Sequence, residues 1–234
     1  MHASSHSEKL ISGLGGFISI FAVYLITSLF ETALHTQLLF VASMGATAVL
    51  LFAAPHSPLS QPWNVTGGHI VSAFVGVLVH GLIANQIFAG AMAVGIAITA
   101  MYYLKCLHPP GGATALVAVI GGSSVDSFGF TYVYFPVGLS AVLMVLIAIA
   151  FNYPFKWRRY PAALLRTPPA PENANDQAKH YPDITHADLV AALAEIDGYV
   201  DISEQDLLRI YEIATNRSHP SIGPSMELTK KPQV

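Results

Sequence analysis

Long apolar runs alternate with short polar breaks along most of this chain. Leu10 to Phe30 is the first run, close to the roughly 20 residues that a helix needs to cross a bilayer core. Its Gly13, Gly15, Gly16 and Ser19 form a small-residue face suited to close helix contact. Glu31, His35 and Gln37 make a polar connection to a shorter run, Leu38 to Ala54. A proline-rich loop from Pro55 to Thr66 follows, with Trp63 as an interfacial side chain. Gly67 to Ala84 and Ile87 to Leu104 are separated only by Asn85-Gln86, which makes them antiparallel neighbours. A helix starting at Pro109 is stopped near Ile120 by Gly121-Gly122-Ser123-Ser124. At 1.5 Å per residue it covers about 16 Å, half of a bilayer core. Ser123 to Thr131 reads as a loop. Tyr132 to Tyr153 is the last run, ending at an aromatic and basic edge from Tyr153 to Arg159. The pattern predicts an all-α polytopic membrane bundle of about six segments, two of them short or broken.

Composition agrees with that pattern. The chain is 53% hydrophobic and 11% charged, where a soluble domain carries about 25% charged residues. Between Leu10 and Pro154 the charged side chains are Glu31, Lys105 and Asp126 alone. The stretch from Pro168 to Val234 holds eleven acidic and five basic residues, so the net charge of −3 averages two unlike regions. No basic stripe exists, which excludes nucleic acid as a partner. A single cysteine, Cys106, excludes an internal disulfide. Residues 1–9 form a short polar tail, and the first run is expected to stay as a membrane helix rather than act as a cleaved leader.

Basic residues set the expected orientation. Lys156, Arg158, Arg159 and Arg166 put the end of the sixth segment in the cytoplasm, and six crossings put Lys9 and Lys105 on the same side. A four-crossing alternative would move Lys105 outside. The expected location is a bacterial inner membrane, with both termini cytoplasmic.

One stretch stands apart: His108-Pro109-Pro110-Gly111-Gly112-Ala113-Thr114-Ala115. Paired prolines and paired glycines do not belong inside a plain helix, but they suit a helix start. His108, before a proline, should be extended and lie just outside that helix. Gly45-Ala46-Thr47-Ala48 recurs as Gly112-Ala113-Thr114-Ala115, 67 residues later. Both copies fall in a short segment between longer ones. Residues 10–84 and 87–153 are therefore expected to be two inverted three-segment repeats; the alternative is a small-residue packing face that happens to recur.

Two short helices meeting tip to tip would offer free amides and the positive ends of two dipoles to a small anion. The expected site is Gly45, Ala46 and Thr47 on one side and Gly111, Gly112, Ala113 and Thr114 on the other, with His108 supplying a switchable charge. Lys105 and His69 are placed at its entrance. Each assignment has a structural alternative. Thr47 and Thr114 could bond the carbonyl one turn back, His108 could be a capping or packing side chain, Lys105 an interface anchor, and His69 and His80 satisfied structural histidines. No His-Glu-x-x-His or Cys-x-x-Cys pattern and no nucleophile–base pair occurs, and Asp126 lies alone in a loop. Neither a metal, a cofactor nor enzymatic activity is expected.

Leu107 to Ala115 resembles the signature of the HPP family of integral membrane proteins, named for that tripeptide. The apolar pattern of residues 10 to 155 resembles its membrane domain throughout. The resemblance implies transport of nitrite, since members have been associated with it in cyanobacteria and chloroplasts. Nitrate, formate or chloride would suit the same chemistry.

Beyond the membrane domain (10–160), residues 161–182 read as a proline-containing linker. Residues 183–217 read as a cytoplasmic helical hairpin, with starts at Thr185-His186-Ala187-Asp188 and Ser203-Glu204-Gln205-Asp206. So small a hairpin must dock on the membrane domain or on a second copy. Residues 218–234 read as a disordered tail. Lipid is the expected surrounding, a small inorganic anion the expected ligand, and lateral packing into a homo-oligomer is expected of so thin a bundle. A non-transporting scaffold or sensor that recruits a partner through the hairpin is the alternative function.

Overall fold

The computed structural model describes residues 6–29 and 34–164, excepting the side chains of 34–40 and 124. The hairpin and tail expected beyond residue 182 lie outside the described residues. Seven α-helices and no strand occur among the described residues. They are α1 (His6–Ser28), α2 (Leu34–Ala53), α3 (Pro62–Leu82), α4 (Gln86–Tyr103), α5 (Pro109–Ile120), α6 (Ser123–Phe128) and α7 (Leu139–Asn152). Four helical stretches are long and apolar enough to cross a membrane: His6–Ser28, Pro62–Leu82, Gln86–Tyr103 and Val133–Asn152. Val41–Ala53 and Pro109–Ile120 are shorter apolar helices.

Local chemistry sets most boundaries. α3 starts at Pro62, five residues before the expected Gly67, because proline suits a first helical turn. Its Thr66 hydroxyl donates back to the Pro62 carbonyl at 2.7 Å. Asn85 caps α4 by accepting from the Phe88 amide at 3.0 Å. The expected loop after Gly122 contains α6. Asp126, expected to stand alone, sits on α6 and pairs with His80 of α3 at 2.8 Å. Before α7 the helical path breaks at Phe135, which is extended (φ −141°, ψ 125°) ahead of Pro136.

α3 is central, packing on α4, α5 and the stretch that leads into α7, while α2 packs on α1, α5 and α7. α1 buries Gly15, Ser19, Val23 and Thr27, one residue per turn. Gly15 is obligatory there, since a Cβ would lie 2.3 Å from the Phe52 ring. Gly13 and Gly16, expected on the same contact face, have open space around them.

One buried charge ties the helix ends together. Arg158, 1% exposed, pairs with Glu8 of α1. It also donates to Ser12 Oγ at 3.0 Å, to Asn152 Oδ1 at 3.2 Å and to the Phe52 carbonyl of α2. Arg158 therefore differs from its basic neighbours Lys156 and Arg159 at the membrane edge, because its charge is spent inside the protein.

Candidate functional site

Glycines bring the signature stretch onto α3. A Cβ at Gly68 would lie 2.5 Å from the His108 Cβ and 3.0 Å from the Cys106 carbonyl. One at Gly111 would lie 2.7 Å from Ser72 Oγ and 3.0 Å from the Gly68 carbonyl. One at Gly76 would lie 2.6 Å from the Ala115 carbonyl. Helices approach this closely in lipid only where side chains are absent. The turn between α4 and α5 is fastened by Asn64 Nδ2 donating to the Leu107 carbonyl at 3.0 Å, and by Trp63 Nε1 donating to the Leu104 carbonyl at 3.2 Å.

That approach assembles a polar cluster from four parts of the chain. Ser43 and Thr47 come from α2, one turn apart; His69 comes from α3; His108 caps α5; Thr114 lies inside it. All five are 2% exposed or less. His69 bridges the two threonines: Nε2 is 2.8 Å from Thr47 Oγ1 and Nδ1 is 2.7 Å from Thr114 Oγ1. Thr47 Oγ1 is also 3.0 Å from His108 Nε2. His108 Nδ1 donates to the Leu59 carbonyl at 2.9 Å. Ser43 Oγ closes the other end, 2.7 Å from Thr114 Oγ1.

The Leu59 carbonyl is itself held in place. Ser60 Oγ donates to the Ala54 carbonyl at 2.8 Å, and Tyr160 Oη donates to the Ser60 carbonyl at 2.8 Å. Burial pushes the Tyr160 phenol up from its ordinary value, so it stays a donor.

Much of the expected site is rearranged. Thr47, Thr114 and His108 do come together, through side chains. His108 is extended (φ −139°, ψ 104°) just outside α5, as the following proline requires. The tip-to-tip amide site is absent. Gly45 and Ala46 lie inside the continuous helix α2, where their amides serve the helix. Pro109 and Pro110 have no N–H, and the Gly111 amide bonds the His108 carbonyl at 2.8 Å, so the start of α5 has little left to offer an anion. Ala46 and Ala113 are exposed on the outer faces of their helices. His69 is not at an entrance; it is the fully buried middle of the cluster. Lys105 is exposed in a left-handed turn (φ 53°) and takes no part in the cluster.

Ser43 joins the cluster from outside the expected set, and its spacing four before Thr47 is the local signal that puts both on one helix face. The joining role of His69 had no local signal, because its partners are 22 and 45 residues away. Among the described residues no group of three or more His, Cys, Asp or Glu could hold a metal ion.

Comparison with known proteins bears on the same region. The family described as HPP, transmembrane region, matches residues 1–161. A transmembrane protein of Dictyostelium discoideum is 39% identical over 155 residues, covering 64% of this chain and 49% of the relative. A second Dictyostelium transmembrane protein is 37% identical over 153 residues, 63% of this chain and 53% of the relative. The chain thus spans about half the length of the curated relatives it matches. No solved structure matches it.

Proposed function

The chain belongs to the HPP transmembrane family, and from that premise we propose that it carries a small monovalent oxyanion, nitrite first among them, across the membrane. The carrying observation is the cluster of Ser43, Thr47, His69, His108 and Thr114. Polar and titratable side chains inside a membrane bundle are costly, and they mark solute or proton pathways more often than they serve packing. Five of them here share one continuous set of hydrogen bonds. The cluster holds hydroxyls and imidazoles and no carboxylate, a chemistry that favours anions over cations. We read residues 10–84 and 87–153 as inverted repeats, since Thr47 and Thr114 hold equivalent places and bond opposite nitrogens of one ring. We place both termini in the cytoplasm from the basic residues beside the outermost segments.

Uptake of nitrite into liposomes carrying the purified full chain tests this reading. Influx above that of empty vesicles is the expected result. Absence of influx for nitrite, nitrate and formate alike rejects it. Removing residues 168–234 should leave influx in place, because the cluster lies wholly within residues 43–114.

A further inference from the structure

A backbone carbonyl fixes the hydrogen count of the cluster at one end. The Leu59 carbonyl can only accept, so His108 Nδ1, 2.9 Å away, carries a hydrogen. Both rings are neutral here, since an uncompensated charge inside an apolar bundle is costly. His108 Nε2 is then an acceptor, and Thr47 must give it its one hydroxyl hydrogen. Thr47 has no second hydrogen for His69, so His69 Nε2 donates to Thr47. His69 Nδ1 is therefore bare and takes the Thr114 hydrogen. Thr114 in turn accepts from Ser43. Every donor points the same way, from Ser43 towards Leu59. Reversing any single bond would set two lone pairs face to face or two hydrogens against each other.

The closed, neutral cluster consequently has no spare donor for an anion. One added proton changes that. Placed on His69 Nδ1, it donates to Thr114 and releases the Thr114 hydroxyl hydrogen, which either turns to the Pro110 carbonyl at 3.4 Å or reverses the 2.7 Å bond to Ser43 Oγ and so frees the Ser43 hydrogen instead. Placed on His108 Nε2, it releases the Thr47 hydrogen, whose other acceptor, the Ser43 carbonyl, is also 3.4 Å away. Bonds of that length are weak. Either event yields a positive ring and one hydroxyl hydrogen of the cluster freed from its strong bond, and these are the two groups that a monovalent oxyanion needs.

Among the described residues no charge is bonded to either ring. The rings meet edge to face, 5.0 Å between centroids and 64° between planes. Thr47 meets both rings from α2 and Thr114 meets His69 from α5, while Cys106 and Met101 pack against the glycines of α3. The stretch through α7 contributes Tyr132, Ser140 and Asn152 as buried polar side chains, none bonded to either ring. Among the described charged residues, Glu8 pairs with Arg158 and Asp126 with His80. Arg159 lies over the Tyr153 ring, and the lysines are exposed. Among the described groups a proton on the cluster meets no carboxylate, which leaves the counter-charge to the arriving anion.

We propose that the cluster binds a proton and a small monovalent oxyanion together, so that transport is proton-coupled, one proton per anion and electrically neutral. This rests on the carrier reading above. The proton occupies a ring nitrogen while the anion is bound and leaves with it, which restores the neutral chain of bonds.

The test uses the full chain in liposomes that hold a pH-sensitive dye, with the membrane potential set by potassium and valinomycin. Nitrite added outside should enter faster than into empty vesicles. Each nitrite should bring one proton, and the rate should be the same at zero and at inside-negative potential. His69→Gln, checked by monodisperse elution and helical circular dichroism, should lose the coupled influx to the empty-vesicle level. Should that variant fail to fold, Ser43→Ala serves instead, because it removes only the first donor of the chain; it should slow coupled influx. Influx that slows at inside-negative potential without acidification overturns the coupling and leaves the carrier standing. Unchanged coupled influx in the folded variant overturns the assignment to this cluster. No influx above empty vesicles overturns the carrier itself.

Discussion

Gly111 and Gly112 are neighbours in the signature, yet the structure gives them opposite sensitivities. A methyl at Gly111 meets Ser72 Oγ at 2.7 Å and a backbone carbonyl at 3.0 Å; one at Gly112 meets only Val94 Cγ1, at 3.8 Å. Gly111→Ala should therefore cost about 1–3 kcal/mol by forcing α5 from α3, and Gly112→Ala should be close to neutral. Thermal unfolding in detergent compares them directly. An equal loss at both positions would show that the second glycine serves something other than packing. Thr114→Val keeps the volume and strips the hydroxyl from between Ser43 and His69. It should cost about 1–3 kcal/mol for the stranded partners and lower nitrite influx, read by the same melts and by vesicle uptake.

Among the elements, the start of α1 and the ends of α2 and α7 are joined by Arg158. Its guanidinium reaches Glu8, Ser12, Phe52 and Asn152 at once, which a planar fork can do and an ammonium cannot. Arg158→Met takes the guanidinium from Glu8, which keeps Trp157 Nε1 as a donor at 3.0 Å, and strips the donors from Ser12, Asn152 and the Phe52 carbonyl; it should destabilise the bundle by about 1–3 kcal/mol. Arg158→Lys should recover only part of that in the same detergent melts. Full recovery by lysine would mean that charge alone matters and the fork does not. At the other end of α3, the His80–Asp126 pair is half-exposed, so its removal should matter far less.

At the scale of the whole molecule, the apolar helices and the family match make this a membrane protein. Cys106 offers a check on the bundle as a unit. It is fully buried against Gly67, and burial pushes its thiol up from the ordinary value, so little reactive thiolate exists at neutral pH. A membrane-impermeant maleimide should leave the native protein unlabelled and label it after denaturation. Cysteines placed at Lys9 and Lys156, both exposed, should react from the same side of sealed vesicles. Reaction from opposite sides would overturn the even number of crossings.

Run length and polarity are local properties, and they were enough for the membrane bundle, for the span of α5 and for the extended His108 before its proline. Pro109 and Pro110 even announced locally that the start of α5 lacks two amides, a consequence that an anion site built on helix tips overlooks. Which side chains meet is not a local property. Ser43, Thr47 and Thr114 converge with His69 and His108 because Gly68, Gly76 and Gly111 let α3 and α5 touch backbone to backbone. The joining contacts span 22 to 71 residues of chain. No periodicity within one segment encodes such a meeting, so the hydroxyl–imidazole chain and its fixed direction belong to the tertiary structure alone.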